Sequence, residues 1–258
     1  MTNLRLVDSH CHLQDKAFKN DLDAVIREAE DAGVRTFLVP GTSIEDSIAA
    51  LNLAEKYINI YAAAGIHPHD SAKAASDWRE KLKSLSSNKK TVAIGEIGLD
   101  YHYDFSPRDR QKEVFKTQIE LALELNLPMV IHTRKSMEDT FRILDETDGW
   151  KAGGVFHCFP GSLADAEYVI AKGFHISYTG VVTFKNSQNT RDIVKKIPIE
   201  KLLLETDSPY MAPEPFRGQR CHPALLIHTA RMIAEIKNLP LENIGETTSI
   251  NFMALFKI

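Results

Sequence analysis

Cysteine is scarce. The 258 residues hold three, Cys11, Cys158 and Cys221, widely spaced and without a C-x-x-C pair. An odd, scattered set excludes a disulfide framework and points to a reducing, cytoplasmic setting. No apolar run approaches the length of a membrane span, and no membrane partner is expected. Nor does a basic segment followed by an apolar stretch open the chain, so no signal peptide is expected. Charge of one sign is also lacking: 31 Lys and Arg stand against 35 Asp and Glu, a net charge of −4. That balance excludes a global pull on nucleic acid, so a polyanionic substrate would have to be met by local basic groups and metal. Linkers, repeats and low-complexity tracts are missing too, which makes residues 1–258 one domain in this reading, with no obligate protein partner evident.

What is present is a regular alternation. Apolar, β-branched-rich runs occur at 4–9, 35–40, 60–65, 92–97, 129–133, 155–159, 175–178 and 202–206. Between them lie helical patterns such as Leu22, Val25, Ile26 and Ala29, or Val114, Phe115, Ile119, Ala122 and Leu123. Ser136, Ser162 and Ser187 stand where helix N-caps are useful, and Gly33, Gly149, Gly153 and Gly173 where helices stop. Eight strand–helix units in about 240 residues is the span of a (β/α)8 barrel. An open doubly wound sheet is the alternative, disfavoured because no Gly-rich phosphate fingerprint follows the first strand. Residues 241–256 read as an extra amphipathic helix covering the barrel.

The first run ends in Asp8-Ser9-His10-Cys11-His12. Strand alternation places His10 and His12 on one face and Cys11 on the other. Two neutral imidazoles sharing a small space make a metal clamp. Later runs end in ligand-type residues as well: His67, Glu96, His132, His157 and Asp207. In a (β/α)8 barrel the strand C-termini meet at one mouth, so residues far apart in sequence converge there. Four imidazoles and two carboxylates exceed what one tetrahedral ion takes. Shared between two ions, His10, His12 and Asp207 would hold one, His132 and His157 the other, with Glu96 between them. Such a centre suits hydrolysis, because it activates water at neutral pH and stabilises attacking and leaving oxygens. Cys11 and Cys158, of opposite parity, read as small buried hydrophobes under helices.

These residues carry a resemblance. Asp8-Ser9-His10-Cys11-His12-Leu13, Gly65-Ile66-His67-Pro68-His69, Gly95-Glu96-Ile97-Gly98-Leu99-Asp100-Tyr101, Ile131-His132-Thr133-Arg134, Phe156-His157-Cys158-Phe159 and Leu204-Glu205-Thr206-Asp207-Ser208-Pro209 resemble the TatD family of metal-dependent deoxyribonucleases, within the amidohydrolase-like superfamily. The resemblance implies a TIM-type barrel, dependence on divalent metal and phosphodiester hydrolysis, chiefly 3′→5′ exonuclease action on DNA. It implies the same six ligands, and Mg²⁺ or Mn²⁺ as the ions. Imidazole donors by themselves also suit Zn²⁺, Co²⁺ or Fe²⁺. The stretch Arg217-Gly218-Gln219-Arg220-Cys221-His222-Pro223 departs from the family, with Cys-His where Asn-Glu or similar is common.

Further roles follow from position. Asp207 is the candidate general base. His67, similar to a family histidine thought to meet the substrate phosphate, is expected to protonate the leaving oxygen or donate to phosphate, with His102 a second candidate. Asp8 and Glu205 each either orient a ligand imidazole or are satisfied inside the barrel. Arg134, Arg217 and Arg220 are candidate phosphate contacts, and Tyr101, Tyr103, Phe105 and Tyr210 candidate stacking platforms for a single-stranded DNA end. His69, His175, His222 and His228 read as surface, packing or helix residues. The alternative activity is ester or amide hydrolysis, for example of aminoacyl-tRNA.

Overall fold

Eight buried apolar runs pair side by side in parallel, in their order along the sequence. The computed structural model describes residues 4–103 and 105–258. The strands are β1 (Leu6–Asp8), β2 (Val34–Pro40), β3 (Ile60–Ala64), β4 (Thr91–Asp100), β5 (Met129–Arg134), β6 (Gly154–Phe156), β7 (His175–Tyr178) and β8 (Leu202–Leu204). Helices α1 (Leu22–Asp31), α2 (Ile44–Lys56), α3 (Trp78–Ser86), α4 (Arg108–Leu125), α5 (Met137–Glu146), α6 (Leu163–Ala171), α7 (Gln188–Lys196) and α8 (Leu226–Lys237) follow the strands in turn. The ring closes between its first and last members. Ser9 N–H donates to Leu204 O at 2.9 Å, Asp207 N–H to His10 O at 2.9 Å and His12 N–H to Ser208 O at 2.8 Å. This is the expected (β/α)8 barrel.

Two apolar layers hold it. Val7, Leu38, Ala63, Val92, Val130, Val155 and Leu203 fill the barrel interior, one from each of seven strands, and Phe252 and Phe256 pack on them. Both Phe residues belong to α9 (Leu241–Phe256), which therefore covers the N-terminal end of the barrel as expected. Removing this much apolar surface from water, at about 25 cal/mol per Å², is the main favourable contribution to folding. A second layer joins the outer strand faces to the helices, with Leu6, Phe37, Ile94, Phe115, Ile131 and Phe156 fully buried.

Local signals mostly hold. Ser162 forms a capping box with Asp165, and Gly33, Gly153 and Gly173 adopt positive φ. Ser136 and Ser187 precede α5 and α7 without capping them through their side chains. Ser136 Oγ instead donates to Leu99 O at 2.8 Å, tying α5 to the end of β4. Gly149 is no left-handed stop: Asp148 takes that conformation. A Cβ at Gly149 would come within 2.8 Å of Ile119 and Leu144, so close packing is what requires the glycine.

His175 opens β7 at the barrel end opposite the strand C-termini. Burial, with a smaller contribution from Lys201, lowers its pKa to about 4. An unfolded chain takes up that proton from about pH 6.5 downward. Stability is therefore expected to fall as pH drops from 6.5 to 4, then to level off. After allowance for partial exposure the loss is about 2 kcal/mol. His175→Gln removes the titration, so the stability difference between variant and wild type should change across that window in urea unfolding. A difference constant from pH 7.5 to 4 would refute the assignment.

Candidate metal centre

The strand C-termini build the site, though not by simple alternation everywhere. Val7 belongs to the interior layer, and alternation from it would send Ser9 and Cys11 inward. The chain bends at Ser9 and His10, which resets the pattern. His10 and His12 then share the barrel mouth, while Cys11 joins the helix-side core. On β5, β6 and after β8 alternation works directly: Val130, Val155 and Leu203 line the interior, and His132, His157 and Asp207 continue their parity. The register of β4 against β5 slips between Ile94 and Ile97, a bulge that re-aims the side chain within it, here Glu96. Two glycines permit this course. A Cβ at Gly65 would lie 2.6 Å from the Gly95 carbonyl carbon, and one at Gly98, at φ +136°, 1.9 Å from the His132 carbonyl oxygen.

Glu96 stands at the centre, 3 % exposed. Its Oε2 lies 3.3 Å from His10 Nε2 and 3.7 Å from His12 Nε2. Its Oε1 lies 2.9 Å from His157 Nε2 and 3.1 Å from His132 Nδ1. Asp207 adjoins the first pair, with Oδ1 3.6 Å from His12 Nε2 and 3.8 Å from His10 Nε2. Within each pair the ring nitrogens approach to 3.2 Å. Adjacent donors on a tetrahedral ion are about 3.3 Å apart when each bond is about 2.0–2.1 Å. Buried lone pairs converging at that spacing fit a cation.

Electrostatics agree with that fit. Burial raises the Glu96 carboxyl, but His157, His67 and His10 outweigh it and hold it well below the usual range. Burial also opposes charge on His157, and Glu96 and Glu205 reverse the effect and raise it. Asp207 is raised by burial. Burial pushes the Cys158 thiol up to about 12, so it is no nucleophile at neutral pH. Cys158 is half-buried, with Sγ 3.6 Å from Thr179 Oγ1. Its left-handed backbone, at φ +44°, turns the chain away after His157.

The two acidic neighbours separate. Glu205 Oε1 lies 3.7 Å from His157 Nδ1 and accepts from Cys158 N–H at 2.6 Å, while Oε2 accepts from Ser177 Oγ at 2.7 Å. It therefore stands beside a site imidazole without hydrogen-bonding to it. Asp8 touches no ligand ring. It accepts from Thr206 N–H at 3.0 Å, Thr206 Oγ1 at 2.6 Å and His10 N–H at 3.3 Å, a clasp across the barrel seam. Burial pushes its carboxyl up to about 8 despite those bonds.

His67 is buried beside the cluster, with Nε2 3.5 Å from Glu96 Oε1. Its Nδ1 accepts the His69 backbone N–H at 3.2 Å. The neutral ring therefore keeps its proton on Nε2, and burial lowers its pKa well below the ordinary value. His69, expected to be a surface, packing or helix residue, packs its ring edge-on against Tyr103 and Phe105 at 5.6 and 4.9 Å and in addition places Nε2 3.0 Å from Asp100 Oδ2. Asp100, to which the sequence pattern assigns no role, lies at the site as well. It shares parity with Glu96 and Gly98, and extending β4 three residues past Ile97 would have found it.

Among the candidate substrate contacts, Tyr103, Phe105 and Tyr210 are exposed at 40, 65 and 55 % and form a rim. Arg134 lies 4.9 Å over the Tyr103 ring, and His102 packs on Tyr103 at 4.5 Å. Tyr101 is instead half-buried and donates to Asp139 at 2.6 Å. Arg217 covers Phe184 at 4.2 Å. Arg220 is committed elsewhere, donating to both Asp21 oxygens at 3.1 and 2.6 Å and to Ala17 O. Its pairing ties the last loop to the first. Cys221 of that loop is buried with Ala212 and Leu225.

Comparison with known proteins decides the family. The TatD related DNase profile matches residues 7–257. The chain belongs to the TatD-related DNase family. It is 43 % identical to the uncharacterized metal-dependent hydrolase YabD of Bacillus subtilis, over 98 % of this chain and 99 % of that one. It is 34 % identical to the 3′-5′ ssDNA/RNA exonuclease TatD of Shigella flexneri, over 98 % and 99 %. The crystal structure of the TatD homologue YJJV from Escherichia coli superposes with a TM-score of 0.93 at 34 % identity, covering 99 % of both chains. As a TatD-family protein, the chain is a metal-dependent hydrolase. Among its described residues no helix is long and apolar enough to cross a membrane.

Proposed function

We propose that this TatD-family hydrolase removes nucleotides from the 3′ end of single-stranded DNA. His10, His12 and Asp207 would hold one divalent ion and His132 and His157 a second, with Glu96 shared between them. The observation that carries this reading is Glu96, whose two oxygens face two separate imidazole pairs. Ions bound there supply charge stabilisation at phosphoryl oxygens and ready ionisation of water. Asp207 takes the proton of the attacking water as the new P–O bond forms. His67 offers its Nε2–H to the oxygen of the bond that breaks. Arg134, backed by Tyr103, meets phosphate, and Phe105 and Tyr210 offer faces to bases. A name supports the substrate class: the Shigella relative is an ssDNA/RNA exonuclease.

The test uses 3′- and 5′-labelled single-stranded DNA, RNA of the same sequence, and carboxylic esters including an aminoacyl-tRNA, each with Mg²⁺, Mn²⁺ or Zn²⁺. Stepwise loss of mononucleotides from the DNA 3′ end is expected, abolished by exhaustive chelation while the far-UV circular dichroism stays folded. Turnover of esters alone would overturn the reading. His67→Ala is expected to lower kcat by about 10²-fold with metal content unchanged.

A further inference from the structure

Asp100 ends β4 with 1 % of its surface exposed, and its two oxygens do different work. Oδ1 accepts the backbone N–H of His102 at 2.8 Å and of Tyr103 at 3.1 Å, the first turn of the rim loop. Oδ2 lies 3.1 Å from His132 Nε2 and 3.0 Å from His69 Nε2. A carboxylate has no proton to give, so both rings must donate to it. A proton on His132 Nε2 leaves the lone pair on Nδ1. Nδ1 is the nitrogen that faces Glu96 Oε1 at 3.1 Å and His157 Nε2 at 3.2 Å. His10, His12 and His157 turn Nε2 to the cluster, so His132 alone of the four presents the other nitrogen.

We infer that Asp100 is a positioning residue: it holds the His132 proton on Nε2, directs Nδ1 into the cluster, and with the same oxygen fixes His69 at the mouth. The inference rests on the proposed reading of His132 as a metal ligand. A carboxylate that only pinned the rim loop would need Oδ1 alone. The contacts on Oδ2 are what join the hydrolytic centre to the histidine under Tyr103 and Phe105. Partners of this kind orient a ligand ring, and losing one typically costs 10–100-fold in metal affinity or activity.

Asp100→Asn separates the two tasks. Asparagine keeps the shape and can still accept the loop N–H groups, but it turns an NH₂ toward the rings. Each ring must then present a lone pair to it, and the His132 proton moves to Nδ1. Zn²⁺ affinity, read by competition with a chromophoric chelator, is expected to fall 10–100-fold at one of two sites. The fall in turnover should appear in kcat rather than KM. His69→Ala should leave Zn²⁺ affinity unchanged and raise KM, a split that a merely structural Asp100 would not produce. In imidazole ¹H–¹⁵N spectra the Zn²⁺-loaded wild type should show His132 protonated at Nε2. Wild-type Zn²⁺ affinity in Asp100→Asn would overturn the inference, and so would a wild-type spectrum with the proton on Nδ1; the spectrum requires no variant to fold. Zn²⁺ binding that leaves the His132 signals unmoved would instead refute His132 as a ligand, and the broader reading with it.

Discussion

Asp207→Asn is expected to lower turnover on single-stranded DNA by about 10²–10⁴-fold, the usual worth of a positioned general base, while DNA binding survives. Asp207 sits three residues past β8 in a left-handed conformation at φ +55°, held by its N–H bond to His10 O. Its Oδ1 lies 3.8 Å from His10 Nε2 and 3.6 Å from His12 Nε2. Asparagine keeps the size and one coordinating oxygen, so the loss isolates proton transfer. Single-turnover rates, metal stoichiometry and DNA affinity, measured side by side with His67→Ala, check it. Near-wild-type turnover in Asp207→Asn with metal retained would place the proton acceptor elsewhere.

If Glu96 is shared between two ions as proposed, removing it should act on both ion positions at once. Glu96→Ala deletes the one group whose oxygens face both imidazole pairs, whereas His12→Ala deletes a contact on one side only. Metal content in Glu96→Ala is expected to drop at both sites and in His12→Ala mainly at one. Losing the charge stabilisation of bound metal is worth several kcal/mol, so activity in Glu96→Ala should fall by about 10³-fold or more. Elemental analysis after extensive dialysis decides the matter. A full dinuclear complement in Glu96→Ala would contradict the shared position.

Much of the site could be read from local pattern. His132 and His157 lie two residues beyond Val130 and Val155, and a period of two is enough to send them to the barrel mouth. Glu96 and Asp207 were legible because barrel strands end at a single face. His10 and His12 reached the mouth for a different reason than alternation: bends at Ser9 and His10, held by seam hydrogen bonds to Leu204 and Ser208, corrected the parity. The apolar run 92–97 gives Asp100 no role because β4 runs ten residues rather than six, and strand ends depend on the neighbouring strand, which a single run does not display.

The sequence by itself determined the barrel, the closing helix and the set of ligand-type residues at strand ends. Those follow from residue-by-residue periodicity, which is local and survives without knowledge of partners. The tertiary structure alone decided how equivalent-looking residues divide their work. Asp8 clasps Thr206 across the seam, whereas Glu205 lies beside His157 and accepts from Cys158 N–H and Ser177 Oγ. Arg220 is paired with Asp21, 199 residues away, and Arg134 lies over the rim aromatic Tyr103. His69 is drawn to the site by Asp100 rather than left at the surface. A side chain's charge and hydrogen-bonding capacity are written in its identity. Which partner meets them depends on barrel closure, which brings together atoms that no local pattern relates.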